Sequence, residues 1–462
     1  MKIILSIILV TVAMFTSTAQ EITGQWNGEL DIQGIKLRLI IHVEEKDDQL
    51  ISKMDSPDQG AMGIPITKTT FESPNIKFEI PMATIEYSGE VNGNEIVGTF
   101  YQAGQSFPLN LSRAEIAGPN RPQEPVEPYP YYVEDVVFHN KEADVSLAGT
   151  LTLPEQNGVF PVAILISGSG PQNRDEELLG HKPFLVIADY LTKNGIAVLR
   201  YDDRGVGNSN GDFQSATSID FASDVESAVT YLKSRKEINP DQIGLIGHSE
   251  GGIIAPMVAS ESDDINFIVL LAGTGIQGDA VLLLQQELIA RASGISEEEI
   301  SKGKETSTEI FKLITTTTDE SKLKEGITVL LSEALDDGTS IPEGMTKSEF
   351  IAAQVNQVAN PWMQNFIRFN PQTALEKVKC PVFAINGEKD LQVPSKENLA
   401  GIDKALTKGG NKKVTIKEYP NLNHLFQECT TGSPAEYAMI EQTFSPVVLE
   451  EMTKWILEQI KE

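Results

Sequence analysis

A chain of 462 residues is longer than one ordinary hydrophobic core needs, and at 40% hydrophobic residues it can fold as two domains or as one domain with a large insertion. A formal charge of −29, with no basic cluster to offset it locally, repels phosphate backbones and anionic lipid and argues against nucleic acid as a partner. Two cysteines, Cys380 and Cys429, make neither a disulfide framework nor a metal site of the usual spacing.

The opening MKIILSIILVTVAMFTSTAQ has one lysine, an apolar run over residues 3–15, and small residues Ser17 and Ala19 placed three and one before a cut. This pattern predicts a signal peptide over residues 1–19 and a secreted or periplasmic protein. The run is short for a membrane span and no later stretch is long and apolar enough, so no membrane contact is expected after the leader is removed; a retained amino-terminal anchor is the alternative.

Residues 20–115 show short alternating runs, IKLRLIIHV, NIKFEI, ATIEYSGEV and EIVGTFYQ, parted by Gly, Asn, Asp and Pro. Period two with frequent turns predicts a small antiparallel β domain, with a hairpin at EVNGNEIVGTF. Its GQWNGEL resembles the first strand of lipocalin-like barrels. GPNRPQEPVEPYPYY follows, with five prolines, and predicts a stiff linker over residues 116–131.

The texture then changes. VVFHN and VSLAGTLTLP read as an antiparallel pair, after which the apolar strands PVAILISG, IAVLRYD, QIGLIGH, INFIVLLAG, CPVFAINGEKD and KVTIKEYP alternate with helical stretches. This predicts an α/β fold with a mostly parallel sheet, over residues 132–274 and 375–462. Residues 275–374 are far too many for one crossover and are rich in helix formers and charge, which predicts a helical cap inserted after strand 6. On this layout Cys380 enters a core strand while Cys429 follows a loop at the opposite end, so both stay unpaired thiols.

IGLIGHSEGG runs strand, sharp turn, helix, and its G-x-S-x-G centre predicts Ser249 as a nucleophile lifted out of the sheet. Such a serine needs a base and a carboxylate to orient that base. Of five histidines, His42 lies in the β domain, His139 in the early hairpin, His181 before the first helix, and His248 beside the serine, pointing away from it. His424 alone follows the last strand, and Asp390 follows the strand before it. The order Ser249, Asp390, His424 therefore predicts a catalytic triad. Oxyanion donors are expected from the backbone amides of Glu250 and of Ser169, the latter in the loop SGSGPQNRDE. RYDDRGVGNSNG lacks phosphate-loop spacing and reads as structural, with Asp202 and Arg204 tying loops around the site. Trp362, Phe366 and Phe369 fall at i, i+4 and i+7, which predicts one aromatic face lining an apolar substrate pocket; packing on the core is the alternative.

Taken in order, SGSGPQNRDE, DDRGVGNS, GHSEGG, NGEKDLQVP and NLNHLFQ resemble the α/β-hydrolase superfamily, particularly secreted esterase D-like, dienelactone-hydrolase-related serine esterases. The likeness runs from about residue 131 to the end, and NPWMQNFIRFNP resembles that group's return from cap to core. It implies the same triad, a helical cap, and cleavage of small-molecule carboxylic esters with no metal or organic cofactor. Ser167 departs from it, standing where many such hydrolases have His in the oxyanion loop. Relatives include serine peptidases of the prolyl-oligopeptidase-like clan acting on short peptides, which remains the alternative, with a non-catalytic binding protein on the same scaffold as a third. Whether the β domain screens the site, binds a polymer or mediates a homodimer is left open.

Overall fold

The computed structural model describes residues 22–461 other than 33–34, 48, 60, 103–104, 119, 337–340 and 342–345. The expected leader, residues 1–19, lies outside the described residues. Of the described residues, those from 22 to 117, apart from 58–60, form one compact unit, and those from 118 onward form a second.

Alternation builds the first unit. Its strands are β1 (Gly24–Ile32), β2 (Ile35–Lys46), β3 (Gln49–Ser56), β4 (Ala61–Ile66), β5 (Lys68–Glu72), β6 (Asn75–Ile80), β7 (Ile85–Asn92), β8 (Glu95–Gln102), β9 (Gln105–Pro108) and β10 (Leu111–Ser112). In β6 every second side chain, Ile76, Phe78 and Ile80, turns inward to join Trp26, Tyr87 and Phe100 in one core. The antiparallel sheet runs β4-β3-β2-β1-β10-β8-β7-β6-β5, with β9 on β8. Its two edges, β4 and β5, are parted in the chain by Thr67 alone. Thr69 Oγ1 of β5 donates to Ser52 Oγ of β3 at 2.9 Å, so the sheet curls until the β5 edge reaches β3, beside the β4 edge, as in a barrel.

The second unit opens with the antiparallel pair β11 (Tyr132–Asn140) and β12 (Val145–Leu153). Then come β13 (Phe160–Ile166), α1 (Pro183–Lys193), β14 (Ala197–Tyr201), α2 (Ser218–Lys233), β15 (Ile238–His248), α3 (Gly251–Glu261) and β16 (Ile265–Leu271). The sheet order is β11-β12-β14-β13-β15-β16 followed by two later strands. From β14 onward the pairings are parallel. Residues of β14 are buried along its whole length, because helices cover both faces: α2 and α3 on one, α1 on the other.

Between β16 and the next strand lie α4 (Gly278–Ala292), α5 (Glu297–Thr316), α6 (Glu320–Asp336), α7 (Lys347–Val358), α8 (Pro361–Arg368) and α9 (Gln372–Leu375). Capping boxes start α5 at Ser296 with Glu299, and α7 at Thr346 with Glu349. These helices have a core of their own, including Phe311, Ile314, Ile327, Ile351 and Ile367. The chain then completes the sheet with β17 (Val382–Gly387), α10 (Ser395–Lys408), β18 (Val414–Tyr419) and α11 (Pro446–Gln459).

The proline-rich stretch does more than space two units. From residue 118 it belongs to the second one, where Arg121 donates to the carbonyls of Leu179, Gly180, Ala438 and Ile440. Gln123 accepts from the amides of Thr443 and Phe444 and donates to Phe444 O. Cys380 and Cys429 are free thiols, and burial pushes Cys380 up to about 12. Among the described residues no helix is long and apolar enough to cross a membrane.

Candidate active site

β15 delivers Ser249 at its carboxyl end, where ligands meet parallel sheets. The serine backbone sits at φ 51°, a left-handed conformation unfavourable for any residue with a Cβ. It is locked there by Ser249 N donating to Leu271 O at 2.8 Å and Gly252 N donating to Ser249 O at 2.9 Å. The flanking glycines are steric requirements: a Cβ at Gly247 would strike the carbonyl of Gly251, and one at Gly251 the carbonyl of Ile166.

Asp390 follows β17 and His424 follows β18, and the structure brings them together: His424 Nδ1 and Asp390 Oδ2 are 2.7 Å apart, both side chains buried. The other carboxylate oxygen accepts from the amides of Gln392 and Val393, each at 2.8 Å, so Asp390 is fixed at both oxygens. With Nδ1 engaged, Nε2 is the nitrogen that His424 has for proton transfer. His424 reaches the serine elbow through His248: the two rings lie 4.8 Å apart, and His248 Nε2 is 3.0 Å from His424 O.

The loop after β13 packs against Ser249, since a Cβ at Gly168 would lie 3.1 Å from Ser249 Cβ. Three of its four consecutive charged residues, all but Glu177, are anchored at the carboxyl ends of strands. Arg174 pairs with Asp202 after β14, Asp175 with Arg200 in β14, and Glu176 with His248 at the end of β15. Asp203 adds two bonds, accepting from Ser167 Oγ at 2.8 Å and Gln172 N at 3.0 Å; its carboxyl is pushed well above the usual range by burial. Arg204 pairs with buried Asp224 on α2. Asp202 and Arg204 thus hold loops, as their setting in RYDDRGVGNSNG predicts. Glu176 and the second contact of His248 have no counterpart in the sequence reading.

Glu250 starts α3, and burial pushes its carboxyl above the ordinary range, against hydrogen bonds from Ser218 and Trp362. Trp362 Nε1 donates to Glu250 Oε1 at 2.8 Å, which brings α8 to the residue after the serine. Trp362 and Phe366 stack at 5.2 Å between ring centroids, and Trp362 also packs on the sheet core. Phe369 caps the end of α8, its amide donating to Asn365 O and Phe366 O, and beyond it the chain leaves the helix at ψ 129°, just ahead of Asn370-Pro371. A residue preceding proline is disfavoured in the helical region, so α8 does not run on through Asn370. Phe369 lines a surface cleft of about 640 Å³ with Ile219, Asp220, Met257 and Lys377.

Residues 183–310 match the family model described as serine aminopeptidase, S33, and residues 363–452 match the dienelactone hydrolase family. The first segment contains Ser249, and the second contains Asp390 and His424. Esterase EstD of Thermotoga maritima is 25% identical over 331 residues, spanning 71% of this chain and 70% of its own length. Among solved structures, ferulic acid-bound Est1E of Butyrivibrio proteoclasticus is 20% identical at a TM-score of 0.41, covering 71% of this chain and 100% of its own. The esterase Pf2001 of Pyrococcus furiosus is 18% identical at 0.41, covering 75% of this chain and 98% of its own.

Proposed function

The chain is an α/β hydrolase, and on that premise we propose that it hydrolyses small-molecule carboxylic esters through an acyl-enzyme on Ser249. The observation that carries the reading is the buried 2.7 Å bond between Asp390 and His424, at the same end of the sheet as a serine held at φ 51°. His424 Nε2 takes the hydroxyl proton as Ser249 Oγ attacks the ester carbonyl. Asp390 keeps the imidazole in the tautomer that can accept it. The oxyanion meets the amide of Glu250, at the amino terminus of α3, and that of Ser169; the amide of Gly168 is occupied, donating to Glu176 at 2.6 Å. His424 returns the proton to the departing alcohol, then activates water to release the acid. No step calls for a metal or an organic cofactor.

Helices α4–α8 act as a cap over this site, with Trp362 and Phe366 offering an apolar wall to the acyl or alcohol group; the bond from Trp362 to Glu250 supports this. The amino-terminal pattern supports export, and a mature chain beginning at Gln20 is the expected mass-spectrometric result. The serine aminopeptidase match over the nucleophile's segment favours a peptidase as the second reading. A fluorophosphonate probe should label the chain at Ser249, and p-nitrophenyl esters should be turned over in preference to aminoacyl and prolyl amides. Amide cleavage exceeding ester cleavage would transfer the reading to a peptidase, and a chain taking no label would be no serine hydrolase.

A further inference from the structure

We propose that Glu176 and His248 are positioning residues for this hydrolysis, in which one buried carboxylate holds the oxyanion loop and the loop of the catalytic histidine in register. The proposal rests on the reading of Ser249, His424 and the Ser169 amide given above. Glu176 Oε1 accepts from Gly168 N at 2.6 Å and lies 2.9 Å from His248 Nδ1. His248 Nε2 in turn lies 3.0 Å from the carbonyl of His424. An unbroken path therefore leads from the amide beside the oxyanion donor to the backbone of the base. Both side chains are withdrawn from the surface: Glu176 is 4% and His248 7% exposed, among Phe184, Ile187, Leu271, Leu425 and Phe444.

The protons support a charged link. A carbonyl oxygen only accepts, so Nε2 of His248 carries hydrogen, and a carboxylate partner asks the same of Nδ1. Burial works to lower the pKa of His248. It is outweighed by the charge and hydrogen bond of Glu176, the carbonyl of His424 and the charge of Asp390, so the imidazole is held above its ordinary value. Glu176 also adopts φ 50°, and Leu179 φ 53°. A left-handed backbone at non-glycine residues persists only where surrounding contacts fix it, and the pairs made by Arg174 and Asp175 do so on the amino-terminal side.

Oxyanion donors and base both act in the transition state, so their mutual placement should govern kcat and leave substrate binding nearly alone. A misplacement of 1 Å costs about a hundred-fold. The test uses the full chain with Glu176→Gln, Glu176→Ala, His248→Gln and the double variant Glu176→Gln/His248→Gln, with folding checked by thermal melts. Glu176→Gln is nearly isosteric and keeps an acceptor for Gly168, so it decides the matter if Glu176→Ala does not fold. For p-nitrophenyl butyrate kcat should fall about a hundred-fold, with KM changed by less than about threefold and fluorophosphonate acylation slowed in parallel. Glu176→Ala should be worse than Glu176→Gln. The double variant should be no worse than the worse single one, because both substitutions cut one path. Folded variants that keep the parent's kcat, losses confined to KM, or losses that multiply in the double variant would overturn the proposal. A parent chain that takes no label at Ser249 would instead overturn the reading on which it rests.

Discussion

The buried side chains of the antiparallel unit are nearly all apolar or aromatic, with Trp26, Tyr87, Ile76, Ile96, Leu109 and Leu111 the largest that are fully buried, and its buried acid Asp55 is paired with His42. In the α/β unit the buried set includes Glu176, Asp203, Asp224, Glu250, Asp390, His248 and His424. Both units have good cores, so stability does not explain the difference. Burying charge is costly unless each group is paired and hydrogen-bonded, and a region that does so repeatedly at the ends of its strands is organised for chemistry. The first unit is built to fold, the second to hold reactive groups still.

Substitutions should separate these two purposes. The largest effect belongs to the site: Ser249→Ala should cost about a million-fold in kcat and Asp390→Asn about ten-thousand-fold, each with a melting temperature close to the parent's. Ester hydrolysis by Ser249→Ala within tenfold of the parent would mean that the nucleophile lies elsewhere. Trp26→Ala should do the reverse. It removes a side chain with no exposed surface, its indole bond to Ile22 O at 2.7 Å and the Arg113 guanidinium 3.7 Å over its ring. About 3–5 kcal/mol of stability should go from the first unit while turnover persists below its transition. A common melting step that abolishes labelling of Ser249 would show that the units unfold together.

Trp362 joins both purposes, so its substitutions give smaller, divided effects. Trp362→Phe keeps the ring but takes the donor from Glu250, and should lower stability by about 1–2 kcal/mol without altering acyl-chain preference. Trp362→Ala should shift that preference as well, measured over a p-nitrophenyl series from acetate to octanoate. An unchanged series would leave Trp362 as packing alone.

A separate effect lies in the pH dependence of stability. His181 is buried between Thr443 Oγ1 and Tyr437 O, and burial holds its pKa down to about 4 from an ordinary 6.5. Between those values the unfolded chain takes up a proton that the folded chain refuses, so this residue makes stability fall as pH drops through the window. His181→Gln should flatten the fall in urea midpoint between pH 6.5 and 4. An unaltered slope would assign it to other groups.

The comparison also bears on what a sequence can tell. Strand runs and the serine elbow are local patterns, and the pairing of Asp390 with His424 was legible because each follows a recognisable strand. Arg174-Asp175-Glu176 looks like any solvated loop, because its partners Asp202, Arg200 and His248 lie on other strands and no local period announces them. The end of α8 was less legible: spacing alone would carry the helix past Phe369, where ψ 129° turns the chain out ahead of Asn370-Pro371. The prolines of the linker suggested a spacer, whereas Arg121 among them finds four carbonyls, some more than 300 residues further along the chain.

The seam of the first unit bears on how the protein behaves at high concentration. An open sheet of ten strands would offer two rows of unsatisfied amides and carbonyls on which another molecule could add a strand. Here β5 turns in to reach β3 across the Thr69–Ser52 bond, and the other edge strand, β4, carries Pro65, which has no amide to donate. Both devices make the edges poorer templates for an added strand, so concentrated solutions should resist ordered aggregation even where salt screens the chain's excess negative charge.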